Sequence, residues 1–326
     1  MQFLITLKNS GGGQKDEVPE ATSGLVPPWL GAWADGGSRI IVMQDLSAPA
    51  DCRRGIALAV APNGGRRTKA DHPALPIAPQ ELAECAEACL TAGASMIHVH
   101  VRDAAGHHCL DVDCYRATEE AIRARVGERL IVQVTTEALG RYTPKEQNDL
   151  VRKLRPQACS MALREIAPDA LHEIAFSDLL GWMRRERIFP QIILYDAADV
   201  ARLQDMRLRG VIPADDIPVL FVLGRYTASQ QSSPADLGEF LGVARQASFS
   251  HWTVCAFGKD EAACAVTAAL LGGHARLGFE NNLFLPDCTV AADNAALITP
   301  VANVLRHLGR SLETAETQRA ALEAIW

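Results

Sequence analysis

The sequence predicts an α/β fold, a (β/α)8 TIM barrel that carries an N-terminal extension and extra C-terminal helices. From residue 54 onward, short apolar or β-branched runs alternate with longer amphipathic runs, which is the pattern of βα units around a parallel sheet. Eight apolar runs are present, and a chain of 326 residues is long enough for one such barrel. The runs occupy residues 55–62, 95–103, 130–137, 158–165, 189–196, 219–225, 251–258 and 275–281.

The loop after the first strand argues against the main alternative, an open doubly wound sheet. Such sheets often carry a glycine-rich phosphate loop at this point. The stretch APNGGRRTK, residues 61–69, matches neither GxGxxG nor GxxxxGK(S/T). The closed barrel is therefore the favoured architecture.

The sequence predicts an extension before the barrel and two helices after its last strand. Residues 1–53 form the predicted extension, in which NSGGGQKDE and ADGGSR are typical of loops and QFLITL with SRIIVMQDL suggests a hairpin. The barrel domain is predicted at 54–326. Its first helix, within APQELAECAEACLTAG, has a proline near its start and a glycine at its end. Residues 291–326 predict two further helices, the second beginning at TAETQ.

Composition and charge favour a small-molecule partner. Hydrophobic residues make up 48% and charged residues 22% of the chain, as in ordinary soluble domains. The net charge of −7 argues against nucleic acid or an anionic membrane as partner. The first residues lack the pattern of a signal peptide and no 18-residue apolar stretch occurs, so we expect a cytoplasmic protein. Nine cysteines include no CxxC pair, and Cys85 and Cys89 are expected to share a helix face.

Two histidines in the stretch MIHVHVRD, residues 96–103, are the first candidates for chemistry. Side chains alternate between the faces of a strand, so His98 and His100 point the same way, about 7 Å apart along the strand. They fall near the carboxyl end of the second strand, where barrel enzymes build active sites. The pair either fills the core as hydrogen-bonded histidines or binds a metal ion. A catalytic zinc usually has three protein ligands, and Glu280, at the carboxyl end of the eighth strand, is the best third candidate.

Barrel hydrolases of the amidohydrolase type also contain an HxH pair, but theirs follows the first strand. Those enzymes add histidines at the fifth and sixth strands and an aspartate at the eighth. In this chain the fifth and sixth strands end in LYD and LGRY, so that assignment fails residue by residue.

Several stretches, in the same order, resemble the β-keto acid cleavage enzymes, which include 3-keto-5-aminohexanoate cleavage enzyme. They are TKADHPALPIAPQELAECAEACLTAGASMIHVHVRD, VQVTTE, FVLG and GGHARLGFENNLFLP, and the resemblance runs from about residue 58 to 323. It implies a zinc ion held by His98, His100 and Glu280. It also implies a Claisen-type exchange in which a β-keto acid and acetyl-CoA give acetoacetate and a new acyl-CoA. A homo-oligomer, most simply a tetramer, is expected by the same resemblance.

The resemblance extends to other site residues. Arg276 matches the family's active-site arginine, and its even spacing from Glu280 places both on one face. Thr135 and Thr136 match a strand end where a hydroxyl helps to hold the substrate. The family's aspartate after the zinc glutamate, proposed as an acid or base, is Asn281 here, and an amide takes no proton at neutral pH. Glu137 is the nearest candidate for a substitute carboxylate.

Other departures concern the substrate. Gln191 and Ile193 stand where family members commonly have glutamates, and Ala162 stands where a pocket asparagine is common. The loop after the first strand carries Arg66 and Arg67. We hypothesise that Arg66, helped by Arg164 or Arg225, binds an anionic or strongly polar substrate tail. The alternative is that these arginines bind the phosphates of coenzyme A or face solvent.

Two other functions stay open from the sequence. A barrel derived from this family that binds metal and a small acid without cleaving it would tolerate the loss of the aspartate and glutamates. A zinc lyase or aldolase would use the same Lewis acid on another carbonyl compound. All three functions require bound metal.

Overall fold

Seven of the eight predicted apolar runs contain a strand, and the eighth run overlaps a strand that begins one residue earlier. The computed structural model describes residues 55–247 and 249–326, so the predicted hairpin within residues 1–53 lies outside the described residues. The strands are β1 (Leu58–Val60), β2 (Met96–Val99), β3 (Ile131–Thr135), β4 (Ala158–Ala162), β5 (Phe189–Leu194), β6 (Val219–Leu223), β7 (Trp252–Ala256) and β8 (His274–Leu277). The strands are shorter than the apolar runs.

The eight strands form one closed parallel barrel in sequence order, which confirms the predicted fold. Closure is made by β1, in which Val60 pairs with Ile97 of β2 on one side and with Leu277 of β8 on the other. Strand alternation divides the core into an outer and an inner part. In β6, for example, Val219 and Phe221 pack outward among the residues under the helices, whereas Val222 packs inward.

Helices follow the strands around the outside of the barrel. They are α1 (Pro79–Ala92), α2 (Val112–Val126), α3 (Pro144–Leu154), α4 (Leu163–Ile166), α5 (Glu173–Arg185), α6 (Ala197–Leu208), α7 (Leu237–Ala247), α8 (Glu261–Leu270), α9 (Asn294–His307) and α10 (Ala315–Glu323). The predicted start and end of α1 are confirmed, with Pro79 in its first turn and Gly93 just after it. Cys85 and Cys89 are free and lie on one face of α1 with their Sγ atoms 3.9 Å apart. Among the residues described, no helix has both the length and the apolar character to cross a membrane.

The amino end of the barrel is closed by α10. The two predicted C-terminal helices are confirmed as α9 and α10, and Thr314 of TAETQ caps α10 by accepting the Thr317 N–H. Leu322 and Ala315 of α10 pack against residues at the starts of the strands, among them Met96 and Phe189. The carboxyl end of the barrel is therefore the end left for a site.

Candidate metal centre and active site

His98, His100 and Glu280 form a cluster at the carboxyl end of the barrel, which we call the metal cluster. His98 lies within β2, His100 directly follows it, and Glu280 follows β8. The two Nε2 atoms are 3.1 Å apart, and Glu280 Oε2 is 3.5 Å from His98 Nε2 and 3.3 Å from His100 Nε2. The spacing of these three side chains suits one shared metal ion.

A chain of buried amides orients His98. Its Nδ1 lies 2.9 Å from Gln133 Oε1, Gln133 Nε2 donates to Gln191 at 3.1 Å, and Gln191 Nε2 donates to Thr253 at 3.2 Å. An oxygen facing Nδ1 favours a proton there, which leaves the Nε2 lone pair directed into the metal cluster. Gln133 is not among the site residues predicted from the sequence, although a glutamine two residues before Thr135 in an apolar strand was a signal.

Arg276 sets the charge of the metal cluster. Its Nη2 donates to Glu280 Oε1 at 3.1 Å and contacts the Cys255 sulfur at 3.3 Å. Burial opposes ionisation of Glu280, but the positive charge of Arg276 is the main opposing influence, and the pKa of the carboxyl lies well below its usual value. Burial and the charge of Arg276 hold the pKa of His98 well below that of free histidine. A carboxylate beside neutral imidazole is the protonation state that metal binding requires.

The loop after β1 packs closely over the metal cluster because two glycines permit it. Gly64 has φ +60°, and a Cβ there would lie 2.7 Å from Glu280 Cγ. A Cβ on Gly65 would lie 2.8 Å from Glu137 Oε2. Arg102 holds the loop in place by donating to the carbonyl oxygens of Gly64, Gly65 and Arg67.

The cleft above the metal cluster contains three of the other predicted site residues. Thr135, Glu137 and Arg225 line it together with the metal cluster and Arg276. Thr135 Oγ1 accepts the Glu137 N–H at 3.1 Å. Glu137 lies 3.6 Å from His100 Nδ1 and 3.8 Å from Arg225 Nη2.

The structure places four predicted site residues away from the cleft walls. Thr136 faces the opposite side of its strand from Thr135, and its hydroxyl donates to Ser160 O at 3.4 Å. Arg164 forms ion pairs with two aspartates: its Nη2 donates to Asp196 Oδ2 at 2.9 Å and to Asp199 Oδ2 at 2.7 Å. Arg66 is exposed to solvent. Asn281 is buried and lines a neighbouring groove.

Asn281 lies beside Glu261, a carboxylate that the sequence analysis missed. Asn281 Nδ2 is 3.4 Å from Glu261 Oε1, which also accepts the Gly278 N–H at 3.0 Å. Glu261 Oε2 accepts from Asn282 Nδ2 at 3.2 Å. Complete burial raises the pKa of Glu261 to about 8. The sequence offered no signal for it, because an acid in the first turn of a helix usually serves only the helix.

The neighbouring groove, which we call the side groove, is larger than the cleft, about 670 Å³ against about 380 Å³ with the space open to solvent included. Arg67 and Lys259 supply positive charge, and Asn281, Asn282 and Phe284 form part of its wall. Burial lowers the pKa of Arg67. The side groove lies at the loops after β7 and β8, where barrel enzymes frequently bind phosphate groups.

Comparison with known proteins places the chain in a family. The family model described as beta-keto acid cleavage enzyme matches residues 56–323. The 3-oxoadipate:acetyl-CoA acetyltransferase of Cupriavidus necator is 30% identical over 270 residues, covering 81% of this chain and 93% of that protein. A 3-keto-5-aminohexanoate cleavage enzyme of Fusobacterium nucleatum is 29% identical, covering 79% of this chain and 94% of that protein.

The solved structures support the fold. The apo structure of ObcA superposes with a TM-score of 0.63 at 17% sequence identity. The match covers 77% of this chain, and the chain spans 65% of the length of ObcA. At that identity the likeness concerns the barrel alone. The family match over residues 56–323, with relatives aligned over nearly their whole length, shows that this chain belongs to the β-keto acid cleavage enzymes.

Proposed function

We propose that this enzyme exchanges acyl groups between a β-keto acid and acetyl-CoA, with a zinc ion held by His98, His100 and Glu280. The bond between the keto carbon and the carboxymethyl group of the β-keto acid breaks. The carboxymethyl carbon joins the acetyl carbonyl to give acetoacetate, and coenzyme A passes to the released acyl group. The observation that carries this proposal is the metal cluster beside a buried arginine at the carboxyl end of the barrel.

The metal cluster fits zinc in donor type and spacing. Two ligand atoms each about 2.05 Å from a tetrahedral zinc are about 3.3 Å apart, and the three separations here are 3.1, 3.3 and 3.5 Å. Glu280 Oε2 is buried and has no hydrogen-bond partner among the described residues. A bound ion would satisfy that oxygen and supply a Lewis acid that polarises the oxygens of a β-keto acid.

We assign the binding of the substrate carboxylate to Arg276. Its guanidinium is buried, and the Nη1 and Nε protons have no hydrogen-bond partner within the described part of the chain. A substrate carboxylate could accept from one of these unpartnered N–H groups, and such charge-assisted bonds are among the strongest in proteins. Thr135 keeps its hydroxyl proton available to donate into the cleft, because its oxygen accepts the Glu137 N–H.

We assign the proton-accepting role to Glu137. Asn281 cannot accept a proton at neutral pH, and it faces the side groove rather than the metal cluster. The Glu137 carboxylate lies in the cleft within 3.6 Å of His100. The side groove, with Arg67 and Lys259, suits the phosphates of acetyl-CoA, whose thioester would then approach the cleft past Asn281.

The test is an exchange assay with purified, zinc-loaded enzyme, acetyl-CoA and a panel of β-keto acids, following acyl-CoA and acetoacetate by mass spectrometry. We expect about one zinc per chain and both products. His98→Ala should lose both the metal and the activity. His72→Ala is the matched control, because His72 is a buried histidine whose ring bonds Ala291 O and the Ala74 N–H outside the metal cluster.

Two outcomes would refute the proposal. Bound zinc without product from any β-keto acid would indicate a barrel that binds metal and acid without exchange. Cleavage of a β-keto acid without any requirement for acetyl-CoA would indicate a lyase or aldolase.

A further inference from the structure

The cleft has two chemically different halves. One half holds the metal cluster and Arg276 on β2 and β8. The other half contains Ala162, Ile193, Val222 and Phe257, from the carboxyl ends of β4, β5, β6 and β7, and we call these four residues the apolar wall. They belong to one cluster of buried hydrophobic residues that is separate from the core under the helices. Glu165, Tyr195 and Arg225, which follow β4, β5 and β6, also line the cleft.

We propose that the apolar wall receives the substituent on the keto carbon, and that the substrate is a β-keto acid with a short, uncharged, apolar tail. The inference rests on the proposed function, because it assumes that the keto and carboxylate groups are held at the metal cluster. A molecule held there extends over the opposite half of the cleft, which is the apolar wall.

Two opposite charges of the cleft, Arg225 and Glu137, face each other. Arg225 lies 3.8 Å from Glu137, and its guanidinium stacks over the Phe257 ring at 5.2 Å. An anionic tail would compete with Glu137 for Arg225, and a cationic tail would compete with Arg225 for Glu137. Glu165, a further carboxylate of the cleft, accepts the Ala138 N–H at 2.9 Å, and burial raises its pKa.

The other arginines of the anionic-tail hypothesis offer no free charge in the cleft. Arg164 is held by Asp196 and Asp199 and stacks over the Tyr195 ring at 4.9 Å. Arg66 faces solvent. A charged tail would thus lie against four apolar side chains and would disturb the pairing of Arg225 with Glu137, so desolvating it would be costly.

The size of the cleft limits the tail to a few carbons. The space within the cleft is only about 380 Å³ even when the part open to solvent is included. Each methylene buried against the apolar wall should raise kcat/KM by about fourfold until the wall is filled.

Three six-carbon β-keto acids test the tail directly: 3-oxohexanoate is neutral, 3-oxoadipate anionic and 5-amino-3-oxohexanoate cationic. With acetyl-CoA and zinc-loaded enzyme, kcat/KM should be about tenfold or more higher for 3-oxohexanoate than for either charged acid. Equal values, or a faster charged substrate, would overturn the apolar tail and leave the acyl exchange standing. No product from any of the three would overturn both.

A pair of variants on one strand tests the apolar wall. Val222→Thr places a hydroxyl in the wall at nearly constant volume, and it should reduce the preference for 3-oxohexanoate over 3-oxopentanoate from about fourfold toward one. Val219→Thr is the matched control, because Val219 is equally buried on β6 but packs under the helices. An unchanged preference in Val222→Thr, or an equal loss in Val219→Thr, would overturn the assignment.

Discussion

Asn281 shows how one residue depends on a neighbour that is distant in sequence. The position where the family pattern has an aspartate carries an amide, and the structure supplies a reason, since the buried Glu261 lies 3.4 Å from its Nδ2. A second carboxylate here would repel the first in a site with little water. The Asn281 amide instead donates to Glu261 Oε1.

Asn281→Asp should therefore lower the free energy of unfolding by about 1–3 kcal/mol. The pKa of Glu261 is raised to about 8, so its contribution to stability is present below about pH 4.5 and is lost as the pH rises through about 8. The carboxylate introduced by this substitution would raise the pKa of Glu261 further, so the destabilisation should be greater at pH 8 than at pH 5.

A double-mutant cycle of Asn281→Asp and Glu261→Gln, followed by denaturant unfolding, measures the coupling between residues 261 and 281. Glu261→Gln alone should also destabilise, because its amide faces N–H donors. The double variant should be more stable, by about 1 kcal/mol or more, than the sum of the two single losses in the free energy of unfolding predicts. The reason is that an amide and a carboxylate again face each other. Strict additivity would contradict the pairing of residues 261 and 281.

At the scale of elements, the two ends of the barrel have different tasks. The carboxyl end carries loops that hold the site, whereas α10 covers the amino end with Ala315 and Leu322. Leu322 is buried among residues of the strand starts, such as Met96 and Phe189. Its contribution should be to stability and not to catalysis.

Leu322→Ala should lower the free energy of unfolding by about 2–4 kcal/mol, because it leaves a cavity under the barrel. Its KM for the β-keto acid should match that of the wild type. Leu308→Ala is the control: Leu308 is 52% exposed, and the change should cost less than about 0.5 kcal/mol. A change in KM with unchanged stability would show that α10 acts on the site.

At the scale of the whole molecule, the metal cluster brings together side chains from the early and the late part of the barrel sequence. His98 and His100 lie on β2 and its end, Glu280 follows β8, and β1 lies between these strands in the closed sheet. A ligand that binds only the folded chain stabilises the whole fold. The tetramer implied by the family resemblance stays a prediction.

Removal of the metal with a chelator should therefore lower the melting temperature. At free zinc of about 100 times Kd the ion contributes about 2.7 kcal/mol, which corresponds to about 5 °C for a chain of this size. Differential scanning calorimetry should show the shift in the wild type and in His72→Ala, and none in His98→Ala. A shift of equal size in His98→Ala would place the metal elsewhere.

The sequence by itself determined the closed eight-stranded barrel, the two C-terminal helices and the shared direction of His98 and His100, because these follow from periodicity along the chain. It also indicated the family and Glu280. Only the tertiary structure decided which groups meet: Gln133 with Gln191, Glu261 with Asn281, and Arg164 with two aspartates. Such pairs join different strands or loops, and periodicity gives the face of a side chain but not its partner.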